Sequence, residues 1–132
     1  MSAELHRSIR SETDVTAAVL EATLYSKEAG FEETPSRMIG TAVSELARNV
    51  VKYAGSGELR VRRVKGVGRR GIEIEVSDHG PGIEDREAAM KDHFSSGGTL
   101  GLGLPGVKRM MDEFSLDSAP GEGTRVKAVK WL

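Results

Sequence analysis

Two runs in which apolar and polar residues largely alternate form the pattern that most restricts the fold. Residues 57–65 read G-E-L-R-V-R-R-V-K, and residues 71–78 read G-I-E-I-E-V-S-D. Alternation with a period of two is typical of strands that have one buried face. The link between the runs contains glycine and reads V-G-R-R-G, which favours an antiparallel hairpin. The chain must therefore build a sheet that covers a hydrophobic core with one of its faces.

The remaining elements fall on both sides of this hairpin. Thr13 or Asp14 can cap a first helix that ends near Gly30. The pair Thr34-Pro35 is an N-cap followed by proline, and it starts a second helix that runs to about Tyr53. Since strands come in pairs instead of alternating strictly with helices, the pattern predicts an α/β fold of the α+β type. We expect a two-layer sandwich with a mixed, mostly antiparallel sheet and helices on one face. Further predictions are strands at 5–10, 114–118 and 124–131, and helices at 85–91 and 105–113.

Length and composition exclude several classes of protein. A chain of 132 residues favours one domain, residues 1–132, and no repeat or low-complexity linker divides it. A net charge of −1 gives no overall attraction to nucleic acid or membranes. The absence of cysteine excludes disulfides and fits a reducing compartment. No run approaches the roughly 20 apolar residues that span a bilayer, and the first ten residues lack a signal core. We therefore expect a cytoplasmic protein.

Three polar side chains share a stripe on the second helix. Glu45, Asn49 and Lys52 lie at the rim of its apolar face on a helical wheel. A carboxylate there can accept a proton from a hydroxyl, an amide oxygen can hold Mg²⁺, and an ammonium can pair with phosphate. The alternative interpretation is a solvated Glu–Lys edge with an incidental asparagine.

The segment S-D-H-G-P-G-I at 77–83 ends the second run with a carboxylate and two glycines. Asp78 has the strand parity of Ile74 and Val76, so it points toward the core if the strand continues to its end. A buried carboxylate requires hydrogen-bond donors, and an exocyclic amine such as that of adenine is one. Gly80 and Gly82 would leave the wall beside a bound base free of side chains. The alternative is a turn in which Asp78 caps its own backbone.

A second glycine cluster, G-G-T-L-G-L-G-L-P-G at 97–106, leads directly into the helix predicted at Pro105. Backbone N–H groups at a helix N-terminus, preceded by glycines, can bind an anion. The segment differs from G-x-x-x-x-G-K-[ST], and its G-x-G-x-x-G match follows a loop instead of a strand, so the two common phosphate loops are excluded. The alternative is a flexible surface loop with a glycine-rich hinge.

The order of four segments carries a resemblance to a known family. E-L-A-R-N at 45–49, D-H-G-P-G at 78–82, G-L-G-L-P-G at 101–106 and G-E-G-T at 121–124 resemble the N, G1, G2 and G3 boxes of the GHKL ATP-binding superfamily. The resemblance covers nearly the whole chain and implies a Bergerat-type sandwich that holds ATP under a mobile lid. The segments S-E-L-A-R-N and A-V-K-W-L look most like the branch of RsbT-type serine/threonine kinases, which switch the bacterial stressosome.

The resemblance implies a role for each matching residue. Glu45 would be the general base, Asn49 the Mg²⁺ ligand, and Lys52 a phosphate contact. Asp78 would bind the adenine amine, with Thr124 near it. The glycines of the two loops would lie beside the base, at Gly80 and Gly82, and in the phosphate lid, at Gly101 and Gly103.

The resemblance also implies partners, because the chain lacks a phosphoacceptor domain of its own. The acceptor would be a STAS-domain protein of the RsbS and RsbR kind, and the released kinase would activate a PP2C-type phosphatase of the RsbU kind. An anti-sigma factor with kinase activity is the alternative, although Thr99 and Leu100 stand where that branch can carry a basic residue. A third hypothesis is nucleic-acid binding by the basic run 60–70, which lacks aromatic residues for base stacking.

Overall fold

The computed structural model describes residues 4–83, 90 and 103–132. Within them the chain forms five strands, three α-helices and one π-helical turn. The helix predicted at 85–91, apart from residue 90, and the predicted lid residue Gly101 lie outside the described residues. In chain order the elements are β1 (Leu5–Ile9), α1 (Glu12–Glu28), α2 (Glu33–Asn49), the π-helical turn (Val50–Ala54), β2 (Gly57–Gly66), β3 (Arg69–Asp78), α3 (Leu104–Met110), β4 (Glu113–Ser118) and β5 (Thr124–Trp131).

The strands form one sheet in the order β1-β2-β3-β5-β4, and every neighbouring pair is antiparallel. The predicted hairpin is present as β2 and β3, with its turn at Val67 and Gly68. β3 lies at the centre, where Asp78 pairs with Gly57 on one side and Thr124 on the other. The predicted α+β fold is thereby confirmed, with the correction that the sheet of the described residues is antiparallel throughout and not mixed.

The helices begin slightly earlier than the sequence predicts. Ser11, not Thr13 or Asp14, caps α1, and its hydroxyl accepts a hydrogen bond from the Asp14 N–H at 3.4 Å. The Asp14 carboxylate accepts instead from the backbone N–H of Arg10 at 2.9 Å, so both side chains satisfy free backbone donors at this helix start. The second helix begins at Glu33 without a side-chain cap, which corrects the assignment of Thr34 as its N-cap.

The second helix changes its pitch near the end. It is α-helical to Asn49 and continues as a π-helical turn to Ala54, before Gly55 reverses the chain with a φ of +87°. A π-helical turn bonds each residue to the fifth one before it, so the faces after Asn49 are rotated relative to those of an α-helix. The total extent agrees with the prediction, but the angular positions of the last residues do not.

The hydrophobic core lies between the helices and one face of the sheet. Leu59, Val61, Ile72 and Ile74 supply the sheet side and are fully buried. Ile39, Val43 and Leu46 of α2 face them across the interface. This confirms the single buried face that the alternating runs predict.

The opposite face of the sheet is covered by ion pairs. Arg62 donates to Glu73 at 2.7 Å and to Glu75 at 2.8 Å, and Arg60 donates to Glu4 at 3.2 Å. These carboxylates form ion pairs with part of the basic run 60–70, which favours the interpretation of this run as the polar face of a hairpin. In residues 4–83, 90 and 103–132, no helix is both long and apolar enough to span a bilayer.

Candidate functional site

A cavity of about 260 Å³ opens between the end of α2 and the ends of β3 and β5. Its walls are mainly apolar and come from Leu46, Val50, Val76, Leu104 and Val126. These residues belong to five different elements, so only the folded chain assembles them. An apolar cleft with few polar groups is typical of small-molecule sites and suits a flat aromatic base.

Asp78 contributes a carboxylate to this cavity from the last position of β3. One carboxylate oxygen accepts a hydrogen bond from the Gly80 N–H at 2.9 Å. Within the described part of the chain, Asp78 makes no other side-chain hydrogen bond, so its second oxygen can accept from a ligand. The two interpretations of Asp78 therefore describe the same geometry, because the turn fixes the carboxylate that lines the cavity.

The glycines that follow Asp78 are required by close backbone contacts. A Cβ atom at Gly80 would lie 2.5 Å from the Cβ of Ala54, so the turn packs directly on the end of the π-helical turn. Gly82 lines the cavity with a φ of +77°, and a Cβ there would lie 2.8 Å from the carbonyl carbon of Ala119. No side chain can occupy either place without moving backbone atoms.

Thr124 lies opposite Asp78 in the register of β3 and β5 and also lines the cavity. Its hydroxyl is 2.9 Å from the hydroxyl of Ser118, a buried residue at the end of β4. No prediction from the sequence included Ser118. Strand parity could have found it, since Phe114, Leu116 and Ser118 point to the same side of β4.

Asn49 and Glu45 take different positions along α2. Asn49 lines the cavity. Glu45 lies one turn earlier and faces the start of α3, where a Cβ at Gly103 would lie 3.1 Å from its carboxyl carbon. Gly103 has a φ of +67° and precedes the helical residues Leu104 and Pro105. The glycine thus lets the chain that enters α3 approach the Glu45 carboxylate.

Lys52 is not brought to the cavity with Asn49. Tyr53 and Ala54 line the cavity, whereas Lys52 is exposed and its ammonium lies 5.1 Å from the centre of the Tyr53 ring. Of the three residues predicted to share a stripe, Asn49 lies on the cavity wall and Lys52 does not. Its contact with phosphate stays a prediction, and Gly101 lies outside the described residues.

A metal ion at this cavity would need ligands beyond the acidic and histidine side chains of the described residues. In the described ranges, no group of three or more histidine or acidic side chains could hold a metal ion. Mg²⁺ commonly keeps several waters and binds one or two protein oxygens together with substrate phosphates. The amide oxygen of Asn49 on the cavity wall fits that mode.

Comparison with known proteins identifies the family. The family model described as histidine kinase-like ATPase domain matches residues 9–130. The chain belongs to this family. RsbT of Bacillus subtilis (strain 168), a serine/threonine-protein kinase, is 49% identical over 124 residues, which cover 94% of this chain and 93% of RsbT.

More distant relatives are anti-sigma F factors. The one from Thermoanaerobacter sp. (strain X514) is 35% identical over 98 residues, covering 71% of this chain and 68% of the relative. The one from Clostridium acetobutylicum is 30% identical over 128 residues, covering 93% and 88%. The predicted GHKL family, the likeness to RsbT and the enzyme class, a protein serine/threonine kinase, are confirmed by these matches.

Proposed function

We propose that this histidine kinase-like ATPase domain transfers the γ-phosphoryl group of ATP to a serine or threonine of a STAS-domain protein. The observation that carries the proposal is the cavity at which Asp78 and Thr124 meet the α2 residue Asn49, with Glu45 beyond it beside Gly103. From Ala54, which packs against the Asp78 turn, to Glu45 the helix axis spans at most about 13 Å, the length that an α-helix of these residues would have. That length suits an extended nucleotide with its base at Asp78 and its phosphates near α3.

The base end of the site recognises its ligand by shape and hydrogen bonding. The apolar walls stack against the base, and the second oxygen of Asp78 accepts from an exocyclic amine. Gly82 leaves the wall bare at that point. Because Asp78 is held by the Gly80 N–H before the ligand arrives, binding does not have to order the carboxylate.

The phosphate end performs the transfer. Glu45 accepts the proton of the substrate hydroxyl while that oxygen forms a bond to the γ-phosphorus, and the bond from this phosphorus to the bridging oxygen breaks to release ADP. Mg²⁺ held by Asn49 and the phosphates would neutralise the charge that develops on the phosphoryl oxygens. Backbone N–H groups at the entry to α3, the lid residue Gly101 and the Lys52 ammonium would make further phosphate contacts.

The partner assignments extend the likeness to RsbT. We propose that the acceptor is an RsbS- or RsbR-like STAS protein in a stressosome, and that the released kinase activates an RsbU-like PP2C phosphatase in the cytoplasm. Residues 1–132 would act as a single domain. The support is the high identity to RsbT over nearly the full length of both chains.

A phosphoryl-transfer assay with radiolabelled ATP tests the proposal against purified STAS proteins. We expect Glu45→Ala to keep nucleotide binding and to lose transfer by at least about 100-fold, the contribution typical of a general base. Glu28→Ala is the control, because Glu28 is an exposed carboxylate at the end of α1. Transfer by Glu45→Ala at the rate of this control would contradict the role of Glu45.

Nucleotide binding is tested separately at Asp78. Asn has the shape of Asp, but one of its two polar atoms is an NH₂ donor. In Asp78→Asn this donor must face either the Gly80 N–H or the amine of the base, so a hydrogen bond to a charged acceptor is lost in both orientations. Such a bond contributes about 1.5–3 kcal/mol, or about 10- to 150-fold in Kd. An unchanged Kd for a fluorescent ADP analogue would contradict the assignment, and Asp117→Asn on the exposed side of β4 is the control.

A second candidate function is an anti-sigma factor that sequesters a sigma subunit. The observation that favours it is the similarity to two anti-sigma F factors at 35% and 30% identity. Parallel pull-downs with a sigma factor and a STAS protein separate the two functions. Capture of the sigma factor alone would replace the first proposal by the second.

A further inference from the structure

Ser118 is a buried serine at the end of β4, next to the part of the cavity that Asp78 and Thr124 line. Ser118 is 7% exposed and lies opposite Thr124 in the register of β4 and β5. Three groups surround its hydroxyl oxygen. They are the backbone nitrogen of Ile83 at 2.8 Å, the carbonyl oxygen of Gly123 at 2.8 Å and the hydroxyl oxygen of Thr124 at 2.9 Å.

The number of protons at Ser118 determines the direction of each hydrogen bond. The Ile83 N–H can only donate, and the Gly123 carbonyl can only accept, so the single proton of Ser118 goes to Gly123. The Ser118 oxygen must then accept the third bond, and Thr124 must donate it. The opposite arrangement would leave the Ser118 and Gly123 oxygens 2.8 Å apart without a proton between them.

This arrangement determines whether the Thr124 hydroxyl can donate a hydrogen bond to a ligand or accept one from it. A threonine hydroxyl has one proton and two lone pairs, and the proton is committed to Ser118. The oxygen of Thr124 can therefore act only as an acceptor at the cavity. Asp78 lies opposite Thr124 across β3 and β5, and its carboxylate is also an acceptor. Two acceptors at the same end of the cavity match the two N–H bonds of an exocyclic amine.

We infer that Ser118 is a positioning residue for base selectivity, because it holds the Thr124 hydroxyl in the orientation that accepts from an amine and rejects a carbonyl. The inference rests on the proposed function, which places the base of the nucleotide against Asp78 and Thr124. Adenine has an amine at its sixth position, whereas hypoxanthine and guanine have a carbonyl oxygen there. Against the acceptor pair, that oxygen forms no hydrogen bond and is repelled.

Replacing Ser118 should change the selectivity through Thr124. In Ser118→Ala the Thr124 hydroxyl loses its acceptor and can rotate to donate toward a carbonyl oxygen. The Ile83 N–H and the Gly123 carbonyl also lose their partner, which affects the fold around the cavity. That structural loss weakens the binding of all nucleotides by a similar factor, so its effect cancels in the ratio of two affinities.

The test is therefore the ratio of the Kd for inosine diphosphate to the Kd for ADP, measured by displacement of a fluorescent ADP analogue. We expect Ser118→Ala to lower this ratio by about tenfold or more, since hydrogen-bonding sites discriminate strongly against mismatched analogues. Ser118→Thr, which retains a hydroxyl, should keep most of the ratio. Ser115→Ala is the matched control, because Ser115 is an exposed serine on the same strand.

A second mutation shows whether the effect passes through Thr124. In a Thr124→Val background no hydroxyl remains to be oriented, so adding Ser118→Ala should leave the ratio unchanged. Thermal melts establish that each variant is folded before titration. Ser118→Cys is the substitute if alanine prevents folding, because a thiol fills the space but hydrogen-bonds weakly.

Several results would overturn the inference. It is wrong if Ser118→Ala and Ser118→Cys leave the ratio within about twofold of the wild-type value, or if Ser118→Ala lowers it equally with and without Thr124. It is also wrong if the wild-type protein binds ADP without preferring it to inosine diphosphate. If the wild-type protein binds neither nucleotide, the proposed function itself fails, and this result is distinguishable from the others.

Discussion

The close approach of Gly103 to Glu45 leads to a prediction about alanine substitutions at two glycines. Comparing Gly103→Ala with Gly68→Ala distinguishes the effect of backbone strain from the effect of a methyl group beside Glu45. Gly103 has a φ of +67°, and a Cβ there would lie 3.1 Å from the carboxyl carbon of Glu45 and closer to one carboxylate oxygen. Gly68, in the turn between β2 and β3, has a φ of +69°, and a Cβ there would meet nothing within 4 Å. Alanine at either position thus has the same backbone strain, but only Gly103→Ala adds a methyl group against Glu45.

The expected cost in stability is similar for both variants. Placing a residue with a Cβ in the left-handed region costs about 1–2 kcal/mol. The Glu45 carboxylate is the end of a flexible side chain and can move aside, so Gly103→Ala should lose little more than Gly68→Ala. For a domain of this size, each kcal/mol lowers Tm by about 3–5 °C. Urea unfolding and thermal melts measure this comparison.

The expected cost in activity differs between the variants. Displacing a general base by about 1 Å can reduce a rate by about 100-fold, and Glu45 is the proposed general base. Gly103→Ala should therefore transfer phosphate about 100 times more slowly than the wild type, while Gly68→Ala keeps the wild-type rate under conditions where both are folded. The assay is single-turnover transfer from ATP to the STAS protein. Equal rates for the two variants would refute the reasoning, because Glu45 would then tolerate the methyl group.

Three further predictions concern the turn, the fold and the phosphate end. Gly82→Ala should lose at least about 1 kcal/mol more stability than Gly121→Ala in urea unfolding. Both glycines have φ near +78°, but only Gly82 faces the rigid backbone of Ala119. Equal losses of stability in the two variants would contradict this. Arg7 donates to both carboxylate oxygens of Glu21, at 2.7 and 2.8 Å, and this hydrogen bonding lowers the pKa of Glu21 from its usual value of 4.5. The resulting stabilisation is complete above the unfolded-state pKa and is lost as pH falls through the lower folded-state pKa. Arg7→Gln should therefore lower the free energy of unfolding by about 0.5–1 kcal/mol at pH 7 and by progressively less toward pH 2–3. A loss of stability that does not depend on pH would be inconsistent with this. Lys52→Ala should raise the Kd for ATP but leave the Kd for adenosine within about twofold in calorimetric titrations, since Lys52 lies outside the cavity. An equal rise in both Kd values would exclude a phosphate contact.

Much of the fold follows from local patterns in the sequence. The alternating runs predict β2 and β3, and the structure pairs them over their full length as an antiparallel hairpin. Asp78 shares the parity of Ile74 and Val76 and lies on the cavity side of β3. These predictions succeed because side-chain direction in a strand depends only on whether a residue is at an odd or even position. The start of α1 was less well predicted, since Ser11, Thr13 and Asp14 can all cap a helix.

The candidate site depends more strongly on tertiary structure. A helical wheel groups Glu45, Asn49 and Lys52, but of these three only Asn49 lies on the cavity wall, which the π-helical turn also lines with Tyr53 and Ala54. A change of pitch has no reliable signal in the sequence, because it depends on how Val50 and Ala54 pack against the sheet and the Asp78 turn. Ser118 was missed for a related reason, since its hydroxyl gains its role only from groups at Ile83, Gly123 and Thr124.

The sequence alone determined the five strands, the first two helices, the single buried face and the family, because each of these depends on residue types at fixed spacing along the chain. The tertiary structure decided which side chains share one cavity, because β3 and β5 bring Asp78 and Thr124 into register. It also decided that Gly103 faces Glu45 and that Ser118 fixes the Thr124 proton. These contacts join residues that are far apart in the chain, and their geometry is set by packing, which no local pattern of residues specifies.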